Sequence, residues 1–412
     1  MMEIRNPITV EEAAKRVMAC RKYGEVEYVD ITAANGRVLA QDIIADHDVP
    51  SFDRSPYDGF AVRSIDTKTA AADNSILLNV VGHIGAGSVF KQELKEKDAV
   101  RIMTGAAIPR GADTVIMLED TEQAGDNQIY IKREMKHHQN ISFQGEDVEK
   151  GSVIVSKGKL INPGVVALLA TFGYKQVPVS KKPVIGVIAT GSELLEVDQA
   201  LEEGKIRNSN AYMIMAQIER SGATAKYYGQ FSDKLDICIQ QMQVAMSEVD
   251  FLITTGGVSV GDFDLLPEIY DYFQAEVLFN KIKMRPGSVT TVAQLNNQLL
   301  YGLSGNPSAC YVGFELYVKP IIDAFLDRDQ IGLKTVKATL TEDFPKSNPF
   351  DRFIRGHYVI KNSQVTVAPS GKDKSNMVHS LAEANCFIRL RGGTAAYSKG
   401  EVVDIYLLEN HS

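Results

Sequence analysis

Cysteine is scarce in this chain. The 412 residues hold four, Cys20, Cys238, Cys310 and Cys386, far apart and without a CxxC. That excludes a recognisable zinc ribbon and leaves no disulfide framework. The seven histidines show no HExxH or similar spacing. Basic residues are outnumbered, 44 Lys and Arg against 52 Asp and Glu, and the net charge of −8 argues against general nucleic-acid binding. No run approaches the ~18 apolar residues of a membrane span. The N-terminal MMEIRNPITVEEAAKRVMACRK carries no apolar signal core. These absences predict a soluble, cytoplasmic protein with no membrane contact.

What is present is an ordinary globular composition, 44% hydrophobic and 23% charged. At ~150 residues per domain the length suits about two to four domains. Thr9 and Glu12 form a capping box for a helix through about Cys20. Asn162 as N-cap, Pro163 at N1 and Gly173 at C′ bracket a second helix. From Asp46 to Ile141, turn residues alternate with short apolar stretches: Phe60–Val62, Ile76–Val81, Ala99–Met103, Thr114–Leu118 and Gln128–Ile131. They predict a β-rich insertion. His137 and His138 fall on opposite faces if this segment is a strand, and predict surface rather than ligand.

From Lys181 strands and helices alternate. Pro183–Ala189, Phe251–Thr255 and Leu299–Leu303 read as buried strands. Asn208-Ser209-Asn210 caps a helix ended by Ser221-Gly222, Asp233 caps one through about Ser247, and Asn306-Pro307 opens one to about Phe325. This order predicts a parallel sheet. Three unusual loops follow its strands: TGSEL (190–194), TTGGVSVGDFD (254–264) and LSGNPS (303–308). Ligands on such sheets bind outside the carboxyl ends of the strands, so the loops should converge on one cleft. From about Gly332 the chain turns strand-rich again, as a small β domain would.

The segment 254–264 is the most informative. Gly256, Gly257 and Gly261 allow backbone N–H groups close to a phosphate. Asp262 and Asp264 suit a hard cation such as Mg²⁺. A tight strand-to-helix turn with Asp262 as a helix cap fits the same letters. Glu193 could reach a metal or merely oppose a helix dipole. Lys281, Lys283 and Arg285 alternate along FNKIKMRPG, which on a strand puts three cations on one face. They suit an oxyanion or phosphate, or a solvated face. Asp58 before Gly59, and Thr104 before Gly105, read equally as turn residues.

Taken together and in order, SPYDGFAVR (55–63), AVRIMTGAAIPRGADTVIMLED (99–120), GED (145–147), ATGSEL (189–194), TTGGVSVGDFD, KMRPG (283–287) and GLSGNP (302–307) resemble the molybdopterin molybdenumtransferase family. This is the MoeA type, shared with the C-terminal domain of the scaffold gephyrin. The resemblance implies a multidomain α/β and β fold: a central parallel α/β sheet domain of molybdopterin-binding type at 181–328, a β-rich insertion domain at 46–140, a discontinuous helical and extended linker domain at 1–45 and 141–180, and a small C-terminal β domain at 329–412. It implies a homodimer and the final step of molybdenum cofactor assembly, in which adenylated molybdopterin and molybdate give cofactor and AMP. Apo-molybdoenzymes, molybdopterin synthase and the adenylyltransferase are the implied protein partners.

The family's catalytic positions fall on Asp58, Thr104, Asp147, Glu193, Asp233 and Asp264. Its substrate-binding positions fall on Gly256, Gly257, Ser259, Gly261, Lys281, Arg285, Asn306, Arg355 and Ser375. Mg²⁺, with Zn²⁺ as the alternative, would sit on Asp264, Glu193 and Asp262. Three departures stand out: Tyr57 for the usual Met, Arg285-Pro286-Gly287-Ser288-Val289 for Lys-Pro-Gly-Lys-Pro, and Ser304 for Pro. A guanidinium fork is not a neutral exchange for an ammonium at a tetrahedral oxyanion. Two rival readings are a molybdopterin adenylyltransferase, which would release pyrophosphate, and a non-catalytic gephyrin-like scaffold, which would turn nothing over.

Overall fold

The computed structural model describes residues 6–231, 234–256, 265–371, 373–394 and 396–408. Two compact units emerge. One comprises Met1–Gln41, Lys157–Pro163 and Gln176–Ser412, the other Asp42–Ser156 and Gly164–Lys175.

The first unit is built on a six-stranded sheet. Its order is Thr224–Gln230, Val184–Ala189, Phe251–Thr255, Gln298–Leu303, Thr291–Leu295, Glu276–Phe279. The first four strands run parallel, Thr291–Leu295 is reversed and Glu276–Phe279 is antiparallel to it, so the sheet is mixed rather than wholly parallel. The reversal occurs at Asn296-Asn297, both with positive φ, as a two-residue hairpin requires. Helices Val10–Ala19, Ser209–Arg220 and the run from Pro307 to Phe325 cover one face. Leu235–Glu248 and Leu266–Phe273 cover the other.

Helix ends follow local chemistry. Thr9 Oγ1 accepts the Glu12 N–H at 3.1 Å, one half of the capping box. The reciprocal half does not form, because the Glu12 carboxylate takes Arg16 at 2.8 Å, one turn on. Asn208 caps the Ser209–Arg220 helix through the Ala211 N–H. The next helix begins at Leu235 with Lys234 in the cap position, and Asp233 lies outside the described residues. The run from Asn306 does reach Phe325, but Phe314–Val318 is π-helical. Pro320 has no N–H to close an α-helical bond, and the widened turn just before it accommodates the ring.

Beyond the sheet, Thr335–Leu340, Asp351–Lys361, Gln364–Pro369, Cys386–Leu390 and Val402–Leu407 pair around a closed circuit. Closure leaves this barrel little free edge. The short strand Met284–Arg285 joins it beside Asp351 and Arg352.

The second unit holds the predicted β-rich insertion. Six strands run in the order Thr114–Met117, Gly59–Val62, Asp98–Ile102, Ile76–Ile84, Gln128–Ile131, Thr121–Gly125. Gly59 is pressed between neighbours: a Cβ there would lie 2.0 Å from the Ile116 carbonyl oxygen. His137 and His138 lie in a turn, not a strand, and their rings stack at 3.7 Å. Both are exposed, as expected. The helix Pro163–Thr171 ends with Gly173 at φ +72, whose N–H bonds Ala170 while that of Tyr174 bonds Leu169. That double closure is a Schellman ending.

Under the first sheet the covering helices share buried charge. Glu315 is fully buried and pairs with Arg220, while Gln217 Nε2 donates to it at 2.7 Å. Burial pushes the Glu315 carboxyl above its usual range, against the pull of Arg220. Lys319 and Asp323, equally buried, pair at 2.8 Å. Removing one partner of such a pair leaves an uncompensated charge. Arg220→Met is therefore expected to destabilise the protein by about 3–5 kcal/mol in denaturant titration. Lys132→Ala, breaking an exposed pair with Glu122, should change stability by less than about 1 kcal/mol.

Candidate active site

Three neighbouring parallel strands end level, with Ala189 opposite Thr255 and Thr255 opposite Leu303. Their loops therefore leave the sheet side by side. The Thr190 N–H donates to Thr255 O at 3.0 Å, and the Gly256 N–H to Leu303 O at 3.0 Å. Gly256 has φ +91, and a Cβ on it would sit 2.4 Å from the Thr190 carbonyl oxygen. Only glycine fits there. Gly305 closes the group, its built Cβ position 3.6 Å from Gly256 Cα. The expected convergence is thus present up to Gly256. Gly257, Ser259, Gly261, Asp262 and Asp264 lie outside the described residues.

Glu193 stands exposed on the first loop, its carboxylate folded over Gly191. It is the one expected metal ligand among the described residues. No group of three or more His, Cys, Asp or Glu gathers among them.

Asn306 is exposed at the start of the Pro307–Gly313 helix, and its N–H donates to Ser304 Oγ at 3.2 Å. Proline at 304 would lack that acceptor, so the serine gives this turn a bond of its own. One residue into the helix, the Ser308 N–H donates to Ser375 O at 3.0 Å. Its hydroxyl reaches Met377 O at 2.9 Å. The Ser375 loop is thereby held against the Asn306 turn.

Arg355 lies beneath the same loop, 1% exposed, donating to Ser380 Oγ at 2.9 Å and Lys374 O at 3.2 Å. Burial lowers its pKa, opposed by Asp373. Asp373 also binds Arg352 at 2.6 Å.

The cation row behaves as a strand should. Ile282 and Met284 are buried, while Lys281 is half-buried and Lys283 and Arg285 are exposed. Arg285 lies over Phe350 at 5.8 Å and is paired in register with Arg352.

In the second unit Asp58 and Thr104, both site positions by the family resemblance, meet directly. Asp58 Oδ1 accepts the Thr104 N–H at 2.7 Å and its hydroxyl at 2.8 Å. Those two bonds, the backbone one first, hold the Asp58 carboxyl below its usual range. Asp147 is exposed elsewhere in that unit, on an open cleft of about 410 Å³ with Glu149, Val153 and Leu168.

Comparison with known proteins gives this geometry a lineage. The molybdopterin molybdenumtransferase of Bacillus subtilis (strain 168) is 55% identical over 415 residues, covering 100% of this chain and 96% of the relative. The chain belongs to the molybdopterin molybdenumtransferase family. The protein of the same name from Staphylococcus aureus (strain COL) is 49% identical, covering 100% of this chain and 98% of its own. The family model described as MoeA N-terminal region (domain I and II) matches residues 8–173. That of a probable molybdopterin binding domain matches 186–324, and MoeA C-terminal region (domain IV) matches 337–408. A crystal structure of the molybdopterin biosynthesis MoeA protein of Pyrococcus horikoshii OT3 superposes with TM-score 0.84 at 32% identity, covering 98% of this chain and all of that one. No helix among the described residues is long and apolar enough to cross a membrane.

Sequence reasoning missed three residues near these loops. Arg352 and Asp373 carried no motif. Asn210 was absorbed into a capping run, although Asn208 alone supplies the cap; a second asparagine inside the first turn was the available signal.

Thr104→Val should remove the hydroxyl donor to Asp58 and leave the backbone one. A depressed carboxyl pKa contributes stability above about pH 3.9 that is lost as the pH falls through the folded value. The variant's Asp58 should therefore titrate at higher pH than in the parent, measured by carboxyl-carbon NMR. An unchanged titration would show that the hydroxyl bond does not form in solution.

Proposed function

We propose that this protein is an enzyme that inserts molybdenum into adenylated molybdopterin, consuming molybdate and releasing AMP in the last step of molybdenum cofactor assembly. The observation that carries this reading is the level ending of three parallel strands in glycine turns at 190–191, 255–256 and 304–306. Together with a chain matched to its relatives along its whole length, this is where a ligand of an open α/β sheet binds. In a smaller adenylyltransferase the second unit and the barrel would have no counterpart.

The chain's own groups divide the work. Backbone N–H groups of the 256–261 segment take the phosphates. Lys281 and Arg285, on the exposed side of their strand, attract molybdate, with Arg285 as a planar fork. Asn306 and the Ser375 loop close the far side of the cleft, with Arg355 beneath them. Asp58 is held ionised by Thr104, a state suited to orienting a cationic or hydroxyl group. Asp147 and Asp233 are further acidic positions of the same reaction. Mg²⁺ is the proposed resident ion, on Glu193 with Asp262 and Asp264, whose hard oxygens suit it. When bound, it would neutralise charge on the leaving AMP. The active form is proposed to be a cytoplasmic homodimer, with mass by light scattering twice the 45.3 kDa of one chain.

The test is reconstitution with purified chain, adenylated molybdopterin, molybdate and Mg²⁺. AMP should appear only when molybdate is present; pyrophosphate release, or no turnover, would refute the assignment. In that assay Asp264→Asn should lower the rate by roughly 10²–10³, as expected for loss of one transition-state charge contact. Arg285→Ala should raise the molybdate concentration for half-maximal rate more than that for adenylated pterin. The reverse pattern would move Arg285 to the phosphates.

A further inference from the structure

Asn210 is 8% exposed in the first turn of the Ser209–Arg220 helix, directly under the converging loops. Its Nδ2 donates to Thr255 Oγ1 at 3.1 Å and to Gly305 O at 2.8 Å. One amide therefore spans two of the three turns. Thr255 precedes Gly256, and Gly305 precedes Asn306.

The bond is not a helix cap. Asn208 already accepts the Ala211 N–H at 3.1 Å and fills that role. Nor is it ordinary core polarity, since Asn210 Oδ1 is buried with no hydrogen-bond partner among the described residues. What the position uses is the pair of donors, aimed at two acceptors on separate loops.

We propose that Asn210 is a positioning residue of the cleft, whose side-chain amide sets the Thr255–Gly256 and Gly305–Asn306 turns in register with each other for the adenylated ligand. This rests on the nucleotide reading of the cleft. Aspartate at 210 is nearly isosteric but turns the NH₂ into an oxygen, which repels the Gly305 carbonyl and frees that turn. Thr255→Val removes one acceptor and keeps the Gly305 bond.

AMP is the probe, titrated calorimetrically into the full chain, alongside turnover of adenylated molybdopterin. Asn210→Asp should weaken AMP binding about tenfold and lower kcat/KM about 100-fold, the scale of a small misplacement of reacting groups. Thr255→Val should show a smaller loss in both. The double variant should be little worse than Asn210→Asp alone, because the two residues share a bond. A merely structural role would lower the melting temperature and leave the AMP affinity of folded protein unchanged. That result, in Asn210→Asp or in the milder Thr255→Val should the former not fold, overturns the proposal. Wild-type chain with no affinity for AMP would instead overturn the nucleotide reading, and the role of Asn210 with it.

Discussion

The register of three strands governs this molecule. Because Ala189, Thr255 and Leu303 lie opposite one another, the chain must turn three times within a few ångströms. Each turn's backbone becomes the next one's wall. The bonds from Thr190 to Thr255 and from Gly256 to Leu303 are continuations of the ladder past the strand ends. They draw the turns so close together that a Cβ at Gly256 would strike the Thr190 carbonyl. A shift of one residue in any of the three strands would invert buried and exposed faces and dissolve the cleft.

Beneath that cleft the protein is unusually charged for a core. Arg220 and Glu315 link two helices on the same face, and Lys319 and Asp323 continue the pattern along the run that begins at the Asn306 turn, joined by Arg328 from just past its end. Buried ion pairs are weak evidence for stability but strict about geometry. A helix run already widened by a π-helical turn at Phe314–Val318 gains from such strictness, since its first residues hold Ser375 and its loop.

Much of this was readable beforehand, where one local force dominates. The strands Phe251–Thr255 and Gln128–Ile131 appear at their expected bounds because continuous apolar or bounded alternating runs leave little choice. The Schellman ending at Gly173 and the Asn208 cap were equally legible, since each depends on one residue type. The alternation of Lys281, Lys283 and Arg285 followed from strand period alone. What could not be read is contact over long separation. Thr224–Gln230, a polar edge strand, lacks the apolar run that would mark it. The meeting of Asp58 with Thr104, and of Asn210 with Gly305, spans sequence distances on which local propensity says nothing. Glu12 illustrates competition: its partner in the capping box lost to Arg16, an option equally visible in the letters but not ranked by them.

The strand Met284–Arg285 belongs to two cores at once. Its buried Met284 is part of the interior beneath the mixed sheet, while its backbone completes the rim of the barrel beside Asp351 and Arg352. Arg285 is thus anchored from both sides, and the guanidinium it presents inherits the rigidity of each. On the proposed role of Arg285, its aim toward an oxyanion is then open to residues of this chain that never touch the ligand. A repacked barrel interior around Ile354, or a reshaped methionine pocket under Met284, would re-aim the same charge without altering it.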